Sequence, residues 1–196
     1  ALDGSMDELA TAPALAEYGR GFGQCAVHQQ TQRTFAVAMT PVGVEINAVT
    51  ILDSHLQVIA TVEVAESTNG EGPIRDVAVH GDQVIVLTGD GHPEGPGLRL
   101  LDLDGRYLRT IAAGQLRRPE AVAASNGRVF VVDKYYEEDE EVDEEDLVQE
   151  VVTIRNLLYV IDIHSGDILQ QVRVGLVDEV TEVLVDGNEI YIACFS

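Results

Sequence analysis

Two sequence patterns alternate along this chain and restrict it to a small set of all-β folds. In the first pattern, a short apolar strand is followed by a tight polar turn and a second strand. Its four copies are Cys25–Met39, Val77–Gly89, Val122–Lys134 and Val183–Cys194. Three of the turns contain Gly or Asn, which accept the positive φ angles that tight hairpins need. Each copy therefore predicts a β-hairpin.

The second pattern is a strand that ends in Asp, a short turn and a strand with period-2 alternation. Its three copies are Val49–Val64, Leu98–Ile111 and Leu158–Val174, with Asp53, Asp102 and Asp162 as equivalent residues. Since the two patterns alternate, each pair of copies predicts one four-stranded antiparallel unit.

The spacing of the units is typical of a β-propeller. Taking His28, His80, Ser125 and Asp186 as equivalent points, the offsets are 52, 45 and 61 residues. A base period near 45 with insertions fits four-stranded propeller blades. The predicted fold class is therefore an all-β propeller with three complete blades and the first two strands of a fourth.

The inner strands of these blades are expected to carry the most buried side chains. The predicted residues are Val27, Val79, Val122 and Val185 in first strands, and Val37, Val86, Val131 and Ile192 in second strands. The two cysteines, Cys25 and Cys194, have no metal-site spacing and are expected to be buried free thiols.

A closed ring needs at least four blades, so we expect the chain to be part of a larger propeller. The alternatives are that a gap is tolerated, or that the N-terminal segment or a second chain supplies the missing outer strands. Residues 1–22 are predicted to be a lead-in with a short helix, and Gly4-Ser5 before Met6 indicates a tag remnant. Residues 23–196 form the blades, with an acidic insertion at 136–150.

One segment carries a more specific resemblance. Leu100–Tyr135 contains the outer hairpin "DLDGRYLRTI", a Gly-x-Leu-x-x-Pro segment at Gly114, Leu116 and Pro119, and the inner pair "AVAASNGRVFVVD". This segment resembles the NHL-repeat family of β-propellers, and Gly70–Gly89 is more loosely similar to it. The resemblance implies a propeller fold, whereas function has to be argued from particular residues because propellers host many activities.

The net charge of −22 excludes some classes of partner. Twelve basic residues against 34 acidic ones argue against nucleic-acid binding, which draws its affinity from Lys and Arg on phosphates. An anionic membrane surface would be repelled as well, while a basic protein partner is compatible. With no signal-peptide pattern and few cysteines, we expect a cytoplasmic location.

An acidic run is the strongest candidate for partner binding. Its acidic residues are Glu137, Glu138, Asp139, Glu140, Glu141, Asp143, Glu144, Glu145 and Asp146. Three interpretations are open: a docking surface for a basic protein, a weak divalent-cation site, or a solvated loop that repels itself. The run has no Gly, unlike the usual calcium loop. Its place between second and third strands is shared by two other enlarged loops, Thr40–Asn47 and Gly89–Gly97.

Two smaller constellations carry possible chemistry. His28 and His80 end equivalent strands and are weak candidates for zinc ligands, with hairpin-turn residues as the alternative. Asp162, His164 and Ser165 have the composition of a hydrolase triad, but they lie together in one predicted turn.

No catalytic residue and no cofactor is predicted, with calcium or zinc as the candidates if a metal is bound. We expect a non-enzymatic protein-interaction or scaffold module that docks a basic partner through its acidic loop face. The alternative is a metal-dependent lyase or hydrolase at the central channel, since some lyases similar to the NHL family hold metal there. An oligomer or additional blades would be needed to close the ring.

Overall fold

The computed structural model describes residues 22–38, 48–64, 74–89, 95–137, 153–174 and 179–195. The N-terminal lead-in and most of the acidic insertion lie outside these residues. The described residues form strands without helices: β1 (Phe22–His28), β2 (Arg33–Ala38), β3 (Ala48–Leu52), β4 (Val58–Glu63), β5 (Ile74–His80), β6 (Gln83–Thr88), β7 (Gly97–Asp102), β8 (Tyr107–Ile111), β9 (Pro119–Ser125), β10 (Arg128–Glu137), β11 (Thr153–Asp162), β12 (Ile168–Arg173), β13 (Glu179–Asp186) and β14 (Glu189–Phe195).

The strands form β-propeller blades, which confirms the predicted fold class. Blade one is the sheet β1-β2-β3-β4, blade two is β5-β6-β7-β8, and blade three is β9-β10-β11-β12. The described part of blade four is the hairpin β13-β14. Every pairing within the sheets is antiparallel, and strands that are consecutive in the sequence are neighbours in each sheet.

The first strands of successive blades lie side by side, since β1 contacts β5, β5 contacts β9 and β9 contacts β13. Apolar side chains fill the spaces between the blades and form three clusters. Phe35 and Ile51 of blade one pack with Val84 of blade two, and Leu100 of blade two packs with Ile161 of blade three. The third cluster joins blade three to β13. Burial of both sheet faces holds the blades together.

The inner hairpins have the turn chemistry that the sequence predicts. Gly81 and Gly187 have φ angles of +54° and +59°, and Asn126-Gly127 has two consecutive positive φ angles. These are conformations that Gly and Asn adopt with little strain, so the turn residues fix where each hairpin reverses.

Most of the side chains predicted to be buried are buried, but the predictions for Val27 and for the two cysteines are wrong. Val37, Val86, Val122 and Val131 are buried, and Val79, Val185 and Ile192 are partly buried. Val27, however, is 53% exposed, because it lies on the face of β1 that no described blade covers. Cys25 on the same strand and Cys194 on β14 are free thiols, and both are exposed rather than buried.

Within the described residues, no helix is long and apolar enough to cross a membrane.

Candidate functional site

The central hairpin of blade three extends beyond its own sheet. Strands β10 and β11 pair without interruption out to Glu137 opposite Thr153. Strand β9 pairs with β10 only as far as Asp133, and β12 pairs with β11 only as far as Leu157. Backbone hydrogen bonds from the Lys134 N–H to the Arg118 carbonyl and from the Val174 N–H to the Asn156 carbonyl extend these contacts by one residue. Beyond them, the three residue pairs out to Glu137 and Thr153 form a two-stranded ribbon with no flanking strand among the described residues. Its strands have ten residues each, against six in β6 and β7 of blade two.

The acidic run begins at the tip of this ribbon. Glu137 belongs to β10, so that strand continues two residues into the predicted insertion 136–150. The other predicted partner-binding residues, from Glu138 to Asp146, lie outside the described part of the chain. Along the sequence the run follows the second strand of blade three, and its first residue, Glu137, is the last residue of β10.

His28 and His80 lie at equivalent positions, as the last residues of β1 and β5. His28 Nδ1 is 2.7 Å from the Thr31 hydroxyl, and its Nε2 is 3.9 Å from a carboxylate oxygen of Asp82 in blade two. His80 Nε2 accepts the backbone N–H of Gly127 in blade three at 3.0 Å. Each imidazole therefore lies between its own hairpin and the first turn of the next blade.

Asp76 is a buried carboxylate in β5 that was not predicted from the sequence. One oxygen accepts the N–H of Val77 and the other accepts the N–H of Val122 in blade three, both at 2.7 Å. Burial raises the pKa of Asp76 to about 6, with the two hydrogen bonds opposing that rise and the charge of Glu182 adding to it. The signal in the sequence is one acidic residue inside the apolar strand "IRDVAV".

Asp133 is the second buried carboxylate that was not predicted as a site. Its oxygens accept the backbone N–H groups of Arg117 and Arg118 at 2.9 and 2.7 Å. Burial raises the pKa of Asp133, and the two hydrogen bonds oppose that rise. The carboxylate thereby ties the segment before β9, which contains Gly114 and Leu116, to β10 of the same sheet.

The three equivalent aspartates of the second pattern close the outer turns, as predicted. Asp162 Oδ1 accepts the N–H groups of His164 and Ser165 at 2.8 Å, and Asp53 and Asp102 make the same kind of turn. The hydrogen bond from Ser165, followed by that from His164, lowers the pKa of Asp162. The triad-like composition is therefore a local turn around one carboxylate.

No protein-family model and no curated protein matches this sequence significantly. Solved structures do match. Kuenenia stuttgartiensis hydrazine synthase has a TM-score of 0.58 at 14% identity, over 85% of this chain and 47% of that chain. Pyrococcus horikoshii acylaminoacyl peptidase has a TM-score of 0.56 at 11% identity, over 88% of this chain and 27% of that chain. The WD40 domain of Neurospora crassa Pan2 has a TM-score of 0.46 at 13% identity, over 83% of this chain and 53% of that chain.

At these identities the first two similarities show a shared fold and nothing about activity. This chain spans less than half of the hydrazine synthase chain and about a quarter of the peptidase chain. The NHL resemblance stays a prediction, and the function has to be argued from the chain's own surfaces.

The structure brings together none of the residues predicted as metal ligands. His28 and His80 contact different blade junctions, and the described ranges contain no cluster of three or more His, Cys, Asp or Glu side chains placed to hold a metal ion. What the described geometry supplies is a set of junctions between blades and the hairpin of β10 and β11, which extends beyond the strands beside it.

Proposed function

We propose that this protein is a non-enzymatic interaction module that docks a basic protein partner through the acidic run at Glu137–Asp146. The observation that supports this proposal is the ribbon of β10 and β11. It is the part of blade three that continues past the neighbouring strands, and the acidic run starts at its tip.

The ribbon favours docking over a merely tolerated insertion. A paired hairpin fixes the direction in which the run leaves the blade, whereas β2 of blade one and β6 of blade two have six residues each and end at Ala38 and Thr88. Charged residues are depleted in strands, so a strand that ends at Glu137 is an unusual way to begin a purely solvated loop.

Charge favours a basic partner in particular. The run carries nine acidic residues within ten positions, and the chain as a whole has a net charge of −22. Such a concentration of one sign attracts a Lys- or Arg-rich surface over several ångströms and speeds its association. The interaction should therefore weaken steeply as salt is added, since exposed charges are screened.

The test measures the binding of a fluorescent oligolysine peptide to two variants with equal changes in formal charge. The first is the triple substitution Glu140→Gln, Glu141→Gln and Asp143→Asn in the run. The matched control is Asp167→Asn, Asp186→Asn and Glu189→Gln at exposed positions of the blades. We expect the first variant to bind several-fold more weakly at low salt and the control to bind almost as the wild type does.

A loop-replacement variant separates binding from folding. Joining Glu137 to Thr153 with an Asn-Gly turn removes residues 138–152 and closes the ribbon as a tight hairpin. We expect this variant to unfold at the same urea concentration as the wild type and to lose salt-sensitive binding. Equal losses in both charge variants, or unchanged binding after loop replacement, would refute the docking function.

A further inference from the structure

The inner hairpin of blade three reverses on the dipeptide Asn126-Gly127. Ser125 pairs with Arg128, so the loop has only these two residues, and their φ angles are +52° and +72°. Two consecutive positive φ angles in such a loop are typical of a type I′ turn. Asn followed by Gly is also the sequence in which an asparagine amide is lost most readily, because glycine lets its own backbone nitrogen approach the asparagine side chain with little steric hindrance.

The side chain of Asn126 is exposed, and this exposure follows from its position at the tip of an inner hairpin. Gly81 and Asp82, the equivalent turn residues of blade two, are exposed as well, although β5 of that blade contacts described strands of blades one and three. Water therefore reaches the turn even where both neighbouring blades are in place.

Loss of the amide would proceed in two steps. The Gly127 nitrogen attacks Asn126 Cγ, so that an N–Cγ bond replaces the Cγ–Nδ2 bond. The proton of the Gly127 N–H passes to solvent, and Nδ2 takes up a proton and departs as ammonia. Water then opens the cyclic imide at either carbonyl and leaves aspartate or isoaspartate, in which the backbone runs through Cγ and is one methylene longer.

The conformation of the turn opposes the first step. In a type I′ turn the first loop residue has a ψ of about +30°, which places the following nitrogen almost opposite Cβ across the Cα–C bond. Ring closure needs that nitrogen on the same side as Cβ. The peptide between Asn126 and Gly127 therefore has to rotate out of the turn before the nitrogen can reach Cγ.

Two hydrogen bonds resist this rotation. His80 Nε2 of blade two accepts the Gly127 N–H at 3.0 Å, and the Ile163 N–H donates to the Gly127 carbonyl at 3.0 Å. The nitrogen that has to attack is thus the one held across the junction of blades two and three. Because its rotation toward Asn126 Cγ breaks the bond to His80, the bond and the reaction exclude each other.

We propose that Asn126 is a deamidation site that the junction of blades two and three protects, and that it reacts when His80 releases Gly127. Isoaspartate would lengthen the two-residue turn by a methylene group and add a negative charge. The Gly127 N–H then no longer returns to its place beside His80. A local opening of the junction, which is otherwise reversible, becomes permanent through this reaction.

The test follows the full chain in mildly alkaline buffer by mass spectrometry of its proteolytic peptides. All proteins carry Asn69→Gln, because Asn69-Gly70 is the same dipeptide and lies outside the described residues. The measured quantity is the rate at which the peptide containing Asn126 is converted to the aspartate and isoaspartate forms. We expect the folded chain to react at least about tenfold more slowly than the chain in guanidinium chloride, since the reaction waits for local opening.

Two substitutions of histidine locate the protection. His80→Ala removes the acceptor of the Gly127 N–H and should speed the reaction of the folded chain about two- to tenfold, as the loss of one hydrogen bond implies. His28→Ala is the matched control, because His28 ends the equivalent strand of blade one and contacts Thr31 and Asp82 instead. It should leave the rate at Asn126 unchanged.

His80→Gln supplies a variant that retains an acceptor, since its side-chain carbonyl can take the place of Nε2. Its rate should lie closer to that of the wild type than to that of His80→Ala. Equal rates in the folded and unfolded chains would overturn the protection by the turn. A wild-type rate in folded His80→Ala, or the same acceleration by His28→Ala, would overturn the role of the junction.

Discussion

The carboxylate of Asp76 in blade two accepts the backbone N–H of Val122 in blade three, with 2.7 Å between oxygen and nitrogen. The bond links the first strands of the two blades, where they run side by side. A buried group that titrates thus lies at the junction of blades two and three, and the junction should respond to pH.

The free energy of unfolding should carry a pH dependence from Asp76. Burial raises the pKa of Asp76 to about 6, so between the ordinary value of 3.8 and about 6 the folded chain holds a proton that the unfolded chain has released. The stabilisation from this group is complete at low pH and is lost as the pH rises through about 6, a change of roughly 3 kcal/mol.

Asp76→Asn isolates this contribution, because the other carboxyl groups titrate alike in both proteins. Urea unfolding across this pH range should show the wild type losing stability relative to the variant as the pH rises. A difference that stays constant across the range would contradict a raised pKa at Asp76.

Gly105→Ala should destabilise the junction of blades one and two. The glycine has a φ of +83°, and an added Cβ would lie 2.3 Å from Val62 Cγ2. The matched control is Gly81→Ala, at a φ of +54° with nothing within 4 Å of the added Cβ. Both substitutions place a Cβ on a residue with positive φ, which costs stability in each variant. The free energy of unfolding should fall by about 1–3 kcal/mol more for Gly105→Ala than for Gly81→Ala, and that difference measures the packing between the blades.

A double variant checks that reason. Val62→Ala removes the side-chain atom that the new Cβ meets, so combining it with Gly105→Ala should cost less than the sum of the two single changes. Additive losses in urea unfolding would show that the strain at Gly105 lies in its backbone instead.

Asp133→Ala should cost about 2–4 kcal/mol of unfolding free energy, since it leaves two backbone N–H groups, those of Arg117 and Arg118, without their charged acceptor. Asp167→Ala is the comparison, because that aspartate is exposed in an outer turn. The measurement is chemical denaturation near neutral pH. Similar midpoints for the two variants would count against the anchoring role of Asp133.

The blades could be predicted from the sequence because their signals are local. The short continuous apolar run in "VIVLT" and the Gly81 turn specify the hairpin of β5 and β6 without reference to other blades, and the Asp102 turn does the same for β7 and β8. The exposure of Val27 could not be predicted in this way, because it depends on whether another blade lies against β1.

In the candidate site, too, local features could be predicted from the sequence and features that depend on distant residues could not. The acidic run could be placed between two strands because the neighbouring repeats lack it. The continuation of β10 to Glu137 runs against the low strand propensity of acidic residues, and it depends on the partner strand β11. Asp76 was missed because its role is set by Val122, 46 residues away in the sequence.

Among the described residues, the side chains that hydrogen-bond to a backbone group of another blade belong to the earlier blade and reach the following one. Arg33 donates to a carbonyl in the following blade, Arg109 donates to the His164 carbonyl in the blade after its own, and His80 receives the N–H of Gly127 in the blade after its own. Each blade thus has a leading side and a trailing side that differ in shape and in hydrogen-bonding groups. Interfaces between unlike sides are heterologous, so they propagate by rotation in one sense instead of pairing two identical faces about a twofold axis. A unit that joins this array after blade three has to present backbone groups to the side chains of the last blade, as blade two does to Arg33 of blade one.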